Sequence, residues 1–208
     1  MNILYCVIHT KNHEHRMNNI LETWGKNVDV LFYSDHEDIK NNVVKVCDRS
    51  DYASGQIKAI KILHLLSKKM HQYDWYFFCD NDTFVNTYKL HEYLQTACIN
   101  SIHGQIINCW PNDKNLSYPS GGAGYLVSNR IIQKLSDADF NNTIYGDVSI
   151  GLNIRNKKIE MINSPLFHSQ RKEYYDISED LVKDNITFHY IDSLEDMKNL
   201  YELSGADR

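Results

Sequence analysis

The segment Trp75-Tyr76-Phe77-Phe78-Cys79-Asp80-Asn81-Asp82-Thr83 decides the reading of this chain. Its apolar run is the length of a buried strand, too short for a helix, and it leads without a break into two carboxylates. A strand apolar on both faces belongs to a mostly parallel sheet with helices on either side. Open sheets of that kind bind ligands beyond the carboxyl ends of their strands, which is where Asp80 and Asp82 fall. Two carboxylates two residues apart can approach one hard cation. Mg²⁺ or Mn²⁺ bridging to a diphosphate is the natural occupant. The competing reading is a plain Asp-Asn-Asp turn, and the triplet alone leaves both open. An EF-hand loop is excluded, because Phe84, Val85 and His91 stand where an oxygen ligand, Gly and Glu are required.

Upstream, the pattern alternates between two periods. Residues 3–8 read as a buried strand, and 13–24 as a helix with Met17, Ile20, Leu21 and Trp24 on one face and Gly25 as its stop. Strands follow over 28–33 and 43–46. Ile57, Ile60, Leu63, Leu66 and Met70 then make a helical stripe over 54–70. The resulting β-α-β-β-α-β order implies an α/β fold with a covered, mostly parallel sheet.

Downstream, the pattern is less regular. A helix is expected over 88–96, a strand over 105–110, a polar loop over 111–119, a strand starting at Tyr125, and helices over 129–135 and 145–154. Ser193 and Asp196 stand at capping-box spacing before an amphipathic helix carrying Leu194, Met197, Leu200 and Leu203. With no repeat, linker or long charge run, residues 1–208 are expected to form one domain. A shift in pattern near Asn86 separates a nucleotide-fold half, about 1–86, from a mixed half, 87–208.

Composition limits what such a domain can do. The 208 residues are 42% hydrophobic, with 14 Tyr, 7 Phe and 3 Trp, enough apolar surface to fold. A formal charge of −5 argues against a generic nucleic-acid binder. No apolar stretch reaches the length of a membrane span, and residues 1–9 lack the features of a signal peptide. A soluble, cytoplasmic protein is expected. The five cysteines (Cys6, Cys47, Cys79, Cys98 and Cys109) form no CxxC pair and read as mostly buried free thiols. The glycosylation-type triplets at Asn115, Asn141 and Asn185 read as accidental in an Asn-rich chain.

Three further segments carry chemistry. In Tyr118-Pro-Ser-Gly-Gly-Ala-Gly-Tyr125, the glycines allow a sharp turn and close approach to a ligand, although neither phosphate-loop pattern is present. Asp147 lies in Tyr145-Gly-Asp-Val-Ser-Ile-Gly151, and His168 in Pro165-Leu-Phe-His-Ser169. Taken singly, the first reads as a helix cap and the second as a packed side chain. An apolar strand followed by Asp-x-Asp also resembles haloacid dehalogenase-type phosphatases, with Asp80 as nucleophile. That family places Thr or Val at the fifth position, where this chain has Phe84.

As an ordered set, the segments resemble the Fringe-like β-1,3-glycosyltransferase family, which has the GT-A fold. The resemblance runs through Thr10-Lys-Asn-His-Glu-His-Arg16, Leu21-Glu-Thr-Trp-Gly25, Val30-Leu-Phe-Tyr-Ser-Asp35, Lys58 and residues 74–85. It continues through 120–125, 147–151 and 167–169, covering about 3–170. It implies a transferase that moves a sugar from a UDP-sugar to a hydroxyl of a glycan or glycoprotein acceptor. By the same resemblance Thr10 and Arg16 line the nucleotide pocket, Asp35 and Lys58 close around the uridine and ribose, and Asn81 contacts the ribose. Asp80, Asp82 and His168 hold Mn²⁺ or Mg²⁺, while Gly121, Gly122 and Ala123 pass beneath the donor sugar. Asp147 is the implied catalytic base.

The chain departs from the family pattern at three places. Asn81 replaces an acidic residue in the family's triplet, and Gly146 replaces another beside Asp147. The anchor, stem and disulfides typical of Golgi members are not seen either, which fits a viral (chlorovirus-type) or microbial free-standing core, or a domain cut from a longer chain. Besides the transferase and the phosphatase, Asn81 and Gly146 motivate a third reading, a non-catalytic nucleotide-sugar or glycan-binding module.

Overall fold

A computed structural model describes the chain apart from residues 69–71, 142 and 207–208. Met70 of the expected helical stripe, the middle of the Asn141 triplet and the Cys109 side chain lie outside the described residues. The first half contains β1 (Ile3–Ile8), α1 (Glu14–Glu22), β2 (Val30–Ser34), β3 (Val43–Lys45), α2 (Ser54–Lys68), β4 (Trp75–Asp80), β5 (Phe84–Val85) and α3 (Thr87–Leu94). Then come β6 (Ser101–Gly104), β7 (Ile106–Trp110), β8 (Asp113–Pro119), β9 (Tyr125–Ser128), α4 (Asn129–Lys134), α5 (Gly146–Asn156), β10 (Glu160–Asn163), β11 (Thr187–Phe188) and α6 (Leu194–Ser204).

Seven strands form one sheet in the order β10-β6-β9-β4-β1-β2-β3. Strand β9 runs antiparallel to β4 and β6, and the other pairs are parallel. The apolar runs of β1 and β4 divide between two cores at the period of a strand. Tyr5, Val7, Trp75 and Phe77 pack with Met17 and Ile20 of α1, Leu90 of α3 and Leu200 of α6. Leu4, Cys6, Tyr76 and Phe78 pack with Ile60 and Leu63 of α2, Ile131 of α4 and Ile150 of α5. Each large apolar side chain fully buried in this way contributes about 1.5–3 kcal/mol. Cys6, Cys47 and Cys79 are buried free thiols, and Cys98 is free and exposed. No described helix is long and apolar enough to cross a membrane.

Two expectations need correction. The α-helix expected over 13–24 stops at Glu22, before Gly25. Thr23 leaves helical geometry while its Oγ1 donates to the Asn19 carbonyl at 2.6 Å. Trp24 then turns inward, and its Nε1 donates to the Thr83 carbonyl at 3.1 Å, tying α1 to the acidic turn. The polar loop expected over 111–119 is in fact mostly strand β8, paired antiparallel with β7. Its polar residues occupy the solvent face, while Leu116 and Tyr118 are buried against Val148 of α5. Alternation across an exposed hairpin looked like loop polarity.

The hairpin rests on α5 without space to spare. A Cβ at Gly151 would run into Tyr118 Cβ and approach the Ser117 carbonyl oxygen to 2.9 Å. Gly151→Ala should therefore cost about 1–3 kcal/mol, the usual range for overpacking. A fall in the urea midpoint at unchanged slope checks this.

Candidate active site

Parallel pairing of Ile8 with Asp80 ends β1 and β4 side by side. A cavity of about 360 Å³ opens there, with Asp80, Asp82, Gly121, Asp147 and His189 in its wall. His189 Nε2 lies 3.0 Å from Asp82 Oδ1 and 3.8 Å from Asp80 Oδ2. One ligand atom from each of Asp80, Asp82 and His189 falls within 4.8 Å of the others, a spacing that could hold a metal ion.

The chain reaches this arrangement through a short strand. β11 pairs antiparallel with β5, setting Phe188 opposite Phe84, and the Ile191 N–H donates to the Asp82 carbonyl at 2.9 Å. His189 is thereby fixed beside the acidic turn. Tyr190 follows in the left-handed backbone region at φ 62°, unusual for a side chain of this size. Arg171 Nε donates to the Tyr190 carbonyl at 2.9 Å, and the Tyr190 ring lies against His189 at a centroid distance of 4.0 Å. Gly122 leaves the space: a Cβ there would run into the His189 ring. A glycine at 122 is thus required by His189, a reason different from the expected passage beneath a sugar.

The charges in this site oppose one another. Burial pushes Asp80 up to about 6; the neighbouring Asp82 and Asp147 carboxylates add to this, and His189 counters it. Burial also acts to raise Asp82, but the His189 hydrogen bond and the Arg16 guanidinium hold it below the usual carboxylate range. For His189, burial favours the neutral ring, yet the bond to Asp82 and the charge of Asp80 outweigh it and raise its pKa. The site therefore favours positive charge beside its carboxylates. Arg16 supplies some, with NH1 3.1 Å from Asp82 Oδ2 and Nε 2.5 Å from Asp192 Oδ1.

Asp147 faces the acidic pair from the start of α5. Its Oδ1 accepts from the Val148 N–H at 2.8 Å and its Oδ2 from the Gly121 N–H at 3.4 Å. Gly121 separates it from the pair: a Cβ there would sit 3.9 Å from Asp147 Oδ2 and 4.0 Å from Asp80 Oδ2. Burial raises the Asp147 pKa, partly offset by those two N–H groups. Gly146 fits closely here, since a Cβ would come within 3.1 Å of the Gly55 carbonyl oxygen, where α5 meets α2. A side chain at 146 would need that backbone to give by a few tenths of an ångström.

His168 is not brought to the carboxylates. Its Nε2 pairs with Asn185 Oδ1 at 2.7 Å, and its ring stacks on Phe188 at 5.1 Å and 7°. Burial lowers its pKa. Contrary to expectation, His168 does not join the acidic pair; the histidine beside it is His189, 21 positions later. Both follow a phenylalanine, and the pairing of β11 with β5 distinguishes them. The run Ile186-Thr-Phe-His-Tyr-Ile191, rich in β-branched and aromatic residues, is the sequence signal for that strand.

The other expected residues divide into two groups. Thr10, Arg16, Lys58, Asn81 and Gly121 line the cavity. Asn81 is engaged within the protein, its Nδ2 3.0 Å from His9 Nδ1 and its Oδ1 accepting from Arg16 at 3.4 Å. Burial, reinforced by His36 and Lys58, lowers the His9 pKa to about 4, so the ring is neutral and can accept. An amide can donate to His9 and accept from Arg16 together, which an ionised carboxylate cannot. Asp35 and Ala123 lie outside the cavity wall. Asp35 accepts from the Lys11 N–H at 3.1 Å and stands 3.7 Å from the buried Lys58, whose Nζ donates to the His9 carbonyl at 2.7 Å. Ala123 is fully buried, its carbonyl accepting from Thr187 at 2.7 Å.

Comparison with known proteins places this geometry. A glycosyltransferase involved in glycosylation of the major capsid of PBCV-1 matches with a TM-score of 0.57 at 15% identity, over 96% of this chain and 98% of that one. The galactosyltransferase LgtC, solved with donor and acceptor sugar analogues, matches with a TM-score of 0.51 at 12% identity, over 99% and 96%. At these identities the likeness is one of fold. No curated protein sequence matches the chain significantly. The sequence profile of the family described as Fringe-like matches residues 2–207, which sets aside the phosphatase and non-catalytic readings. The chain therefore belongs to the Fringe-like family and is a glycosyltransferase with the GT-A fold.

Proposed function

We propose that this enzyme transfers a sugar from a UDP-sugar to a hydroxyl of a glycan, in a reaction that depends on Mn²⁺ or Mg²⁺. The observation that carries the reading is the convergence of Asp80, Asp82 and His189 within 4.8 Å, with Asp147 across Gly121. Two carboxylates and an imidazole fit a divalent ion that accepts oxygen and nitrogen ligands, and Mn²⁺ suits the mixed set better than Mg²⁺. When bound, the ion would supply charge stabilisation for the departing diphosphate.

The remaining roles belong to the chain. Asp147 takes the proton from the acceptor hydroxyl; burial raises its basicity, and the Gly121 and Val148 N–H groups fix its orientation. Arg16 holds Asp82 and has its guanidinium in the cavity wall, where it can meet phosphate oxygens. Thr10 and Lys58 stand on the β1 side, where the nucleoside would lie. LgtC, with its donor and acceptor sugar analogues, supports this class of substrate on the same fold.

Titration calorimetry with UDP, with and without Mn²⁺, tests the reading. Binding is expected to need the ion and to weaken at least about tenfold in Asp82→Ala. Metal-independent binding, or an unaffected variant, would overturn the site. Slow metal-dependent hydrolysis of UDP-glucose, UDP-galactose, UDP-N-acetylglucosamine or UDP-rhamnose would identify the donor.

A further inference from the structure

Beside Asp147 the cleft wall continues into a row of aromatic side chains that the reaction itself does not use. Tyr52 lies just before α2 and Tyr145 just before α5, and these two helices meet at their first turns. Tyr52 lines the same cavity as Asp147 and is 75% exposed. Its ring meets Tyr145 edge-on at 6.0 Å, and Tyr145 meets Trp110 at 5.0 Å. Trp110 ends β7 and also contacts Tyr118 at 5.9 Å, so the β7–β8 hairpin anchors the far end.

A tyrosine ring this exposed contributes little to a core, and here one lines the same cavity wall as Asp147. The phenol oxygens of Tyr52 and Tyr145 have no hydrogen-bond partner among the described residues. The nearby ionic groups close on themselves: Arg49 pairs with Asp51 at 2.6 Å and Arg155 with Asp113 at 2.5 Å. The rings meet edge to face, at 78° between Tyr52 and Tyr145 and 66° between Tyr145 and Trp110, so they form a stepped apolar surface and not a flat one. Single ring faces spaced along such a surface, without a dedicated counter-charge, match successive pyranose rings, whose C–H groups pack on aromatics.

We infer that Tyr52, Tyr145 and Trp110 form an acceptor subsite that binds an oligosaccharide, with Tyr52 under the sugar that reacts and Trp110 under one further along the chain. The row is longer than a single pyranose ring, so the substrate is the end of an extended glycan, not a free monosaccharide. It begins at Asp147, which gives the glycan its direction: the reacting hydroxyl enters the cleft and the remaining units leave across the hairpin. This inference rests on the proposed transferase reading for the position of the reacting hydroxyl. The contact surface itself does not depend on the donor.

The test uses methyl glycosides of glucose, galactose, xylose and N-acetylglucosamine alongside their tetrasaccharides. Binding is read by saturation-transfer NMR on the intact protein, with UDP and Mn²⁺ titrated separately by calorimetry. At least one tetrasaccharide should bind about tenfold or more tightly than its monosaccharide. Tyr52→Ala and Trp110→Ala should each remove most of that gain, and Tyr52→Phe should keep it. Circular dichroism reports folding, and the exposed Tyr52 supplies a variant with little structural risk. The inference is overturned if no tetrasaccharide outbinds its monosaccharide, if the gain survives both alanine variants, or if a Ser/Thr-rich peptide binds in place of the sugars. Loss of UDP binding with the tetrasaccharide preference intact would count against the donor site and for the subsite.

Discussion

Asp147→Asn should lower kcat about 10²–10⁴-fold, the usual contribution of a positioned base, while the UDP titration in Mn²⁺ stays close to the parent. The amide would keep the shape of the carboxylate and, with its one oxygen on the Val148 N–H at 2.8 Å, would give up only the longer 3.4 Å contact with the Gly121 N–H. It could not take a proton. Because burial raises the Asp147 pKa, the parent rate should climb with pH through that raised value and then level off. The variant should lose this limb. A loss confined to KM, with kcat unchanged, would show that Asp147 only positions the acceptor.

The same substitution should leave the protein more stable. A carboxyl whose pKa is higher folded than unfolded binds its proton more tightly when folded, so folding stability falls as pH rises between the two values. At neutral pH the ionised Asp147 is therefore a cost to the fold, and a neutral amide at this position removes it. A higher Tm with a lower kcat is the pattern of a residue kept for chemistry. A lower Tm would indicate a structural role at the start of α5.

What the sequence disclosed and concealed follows from the range of the forces involved. The β4 run and its acidic end were legible because burial on both faces writes an uninterrupted apolar string next to a polar break. Asp80, Asp82, Asp147 and Gly121 lie in or beside such local patterns, and the fold brings all of them to one cleft. His189 was hidden because its position depends on β11, two residues long, paired with an equally short β5 about 100 positions earlier. No periodicity can show in two residues. His168 stood out for its neighbours in sequence, yet it stacks on Phe188 and serves the packing beneath the site. Asn81 looked like a departure from an acidic pattern until His9 and Arg16 gave both ends of its amide a partner.

pH separates the proposed metal site at Asp80, Asp82 and His189 from a structural ion pair. Without a metal ion, Asp80, raised to about 6, and His189, also raised, each hold a proton more tightly folded than unfolded. For Asp80 that contribution to stability is complete below the ordinary carboxylate range and is lost as pH rises to about 6 and beyond. For His189 it is complete below the ordinary histidine value and is lost above it, through the raised folded value. A divalent ion competes for the same three groups, which must be free of protons to bind it. Raising pH from about 5 to about 7.5 should therefore lower the metal-free Tm contribution of this site while the Tm gain on adding Mn²⁺ grows. Calorimetry in buffers of different ionisation enthalpy should find protons released on binding. In Asp82→Ala the Mn²⁺ gain should vanish, since His189 loses its 3.0 Å partner along with the ligand itself. Gly122→Ala should weaken it without touching any ligand, because the new methyl group occupies the space of the His189 ring. A Mn²⁺-dependent Tm gain that is flat with pH, or that survives in Asp82→Ala, would place the ion elsewhere in the molecule.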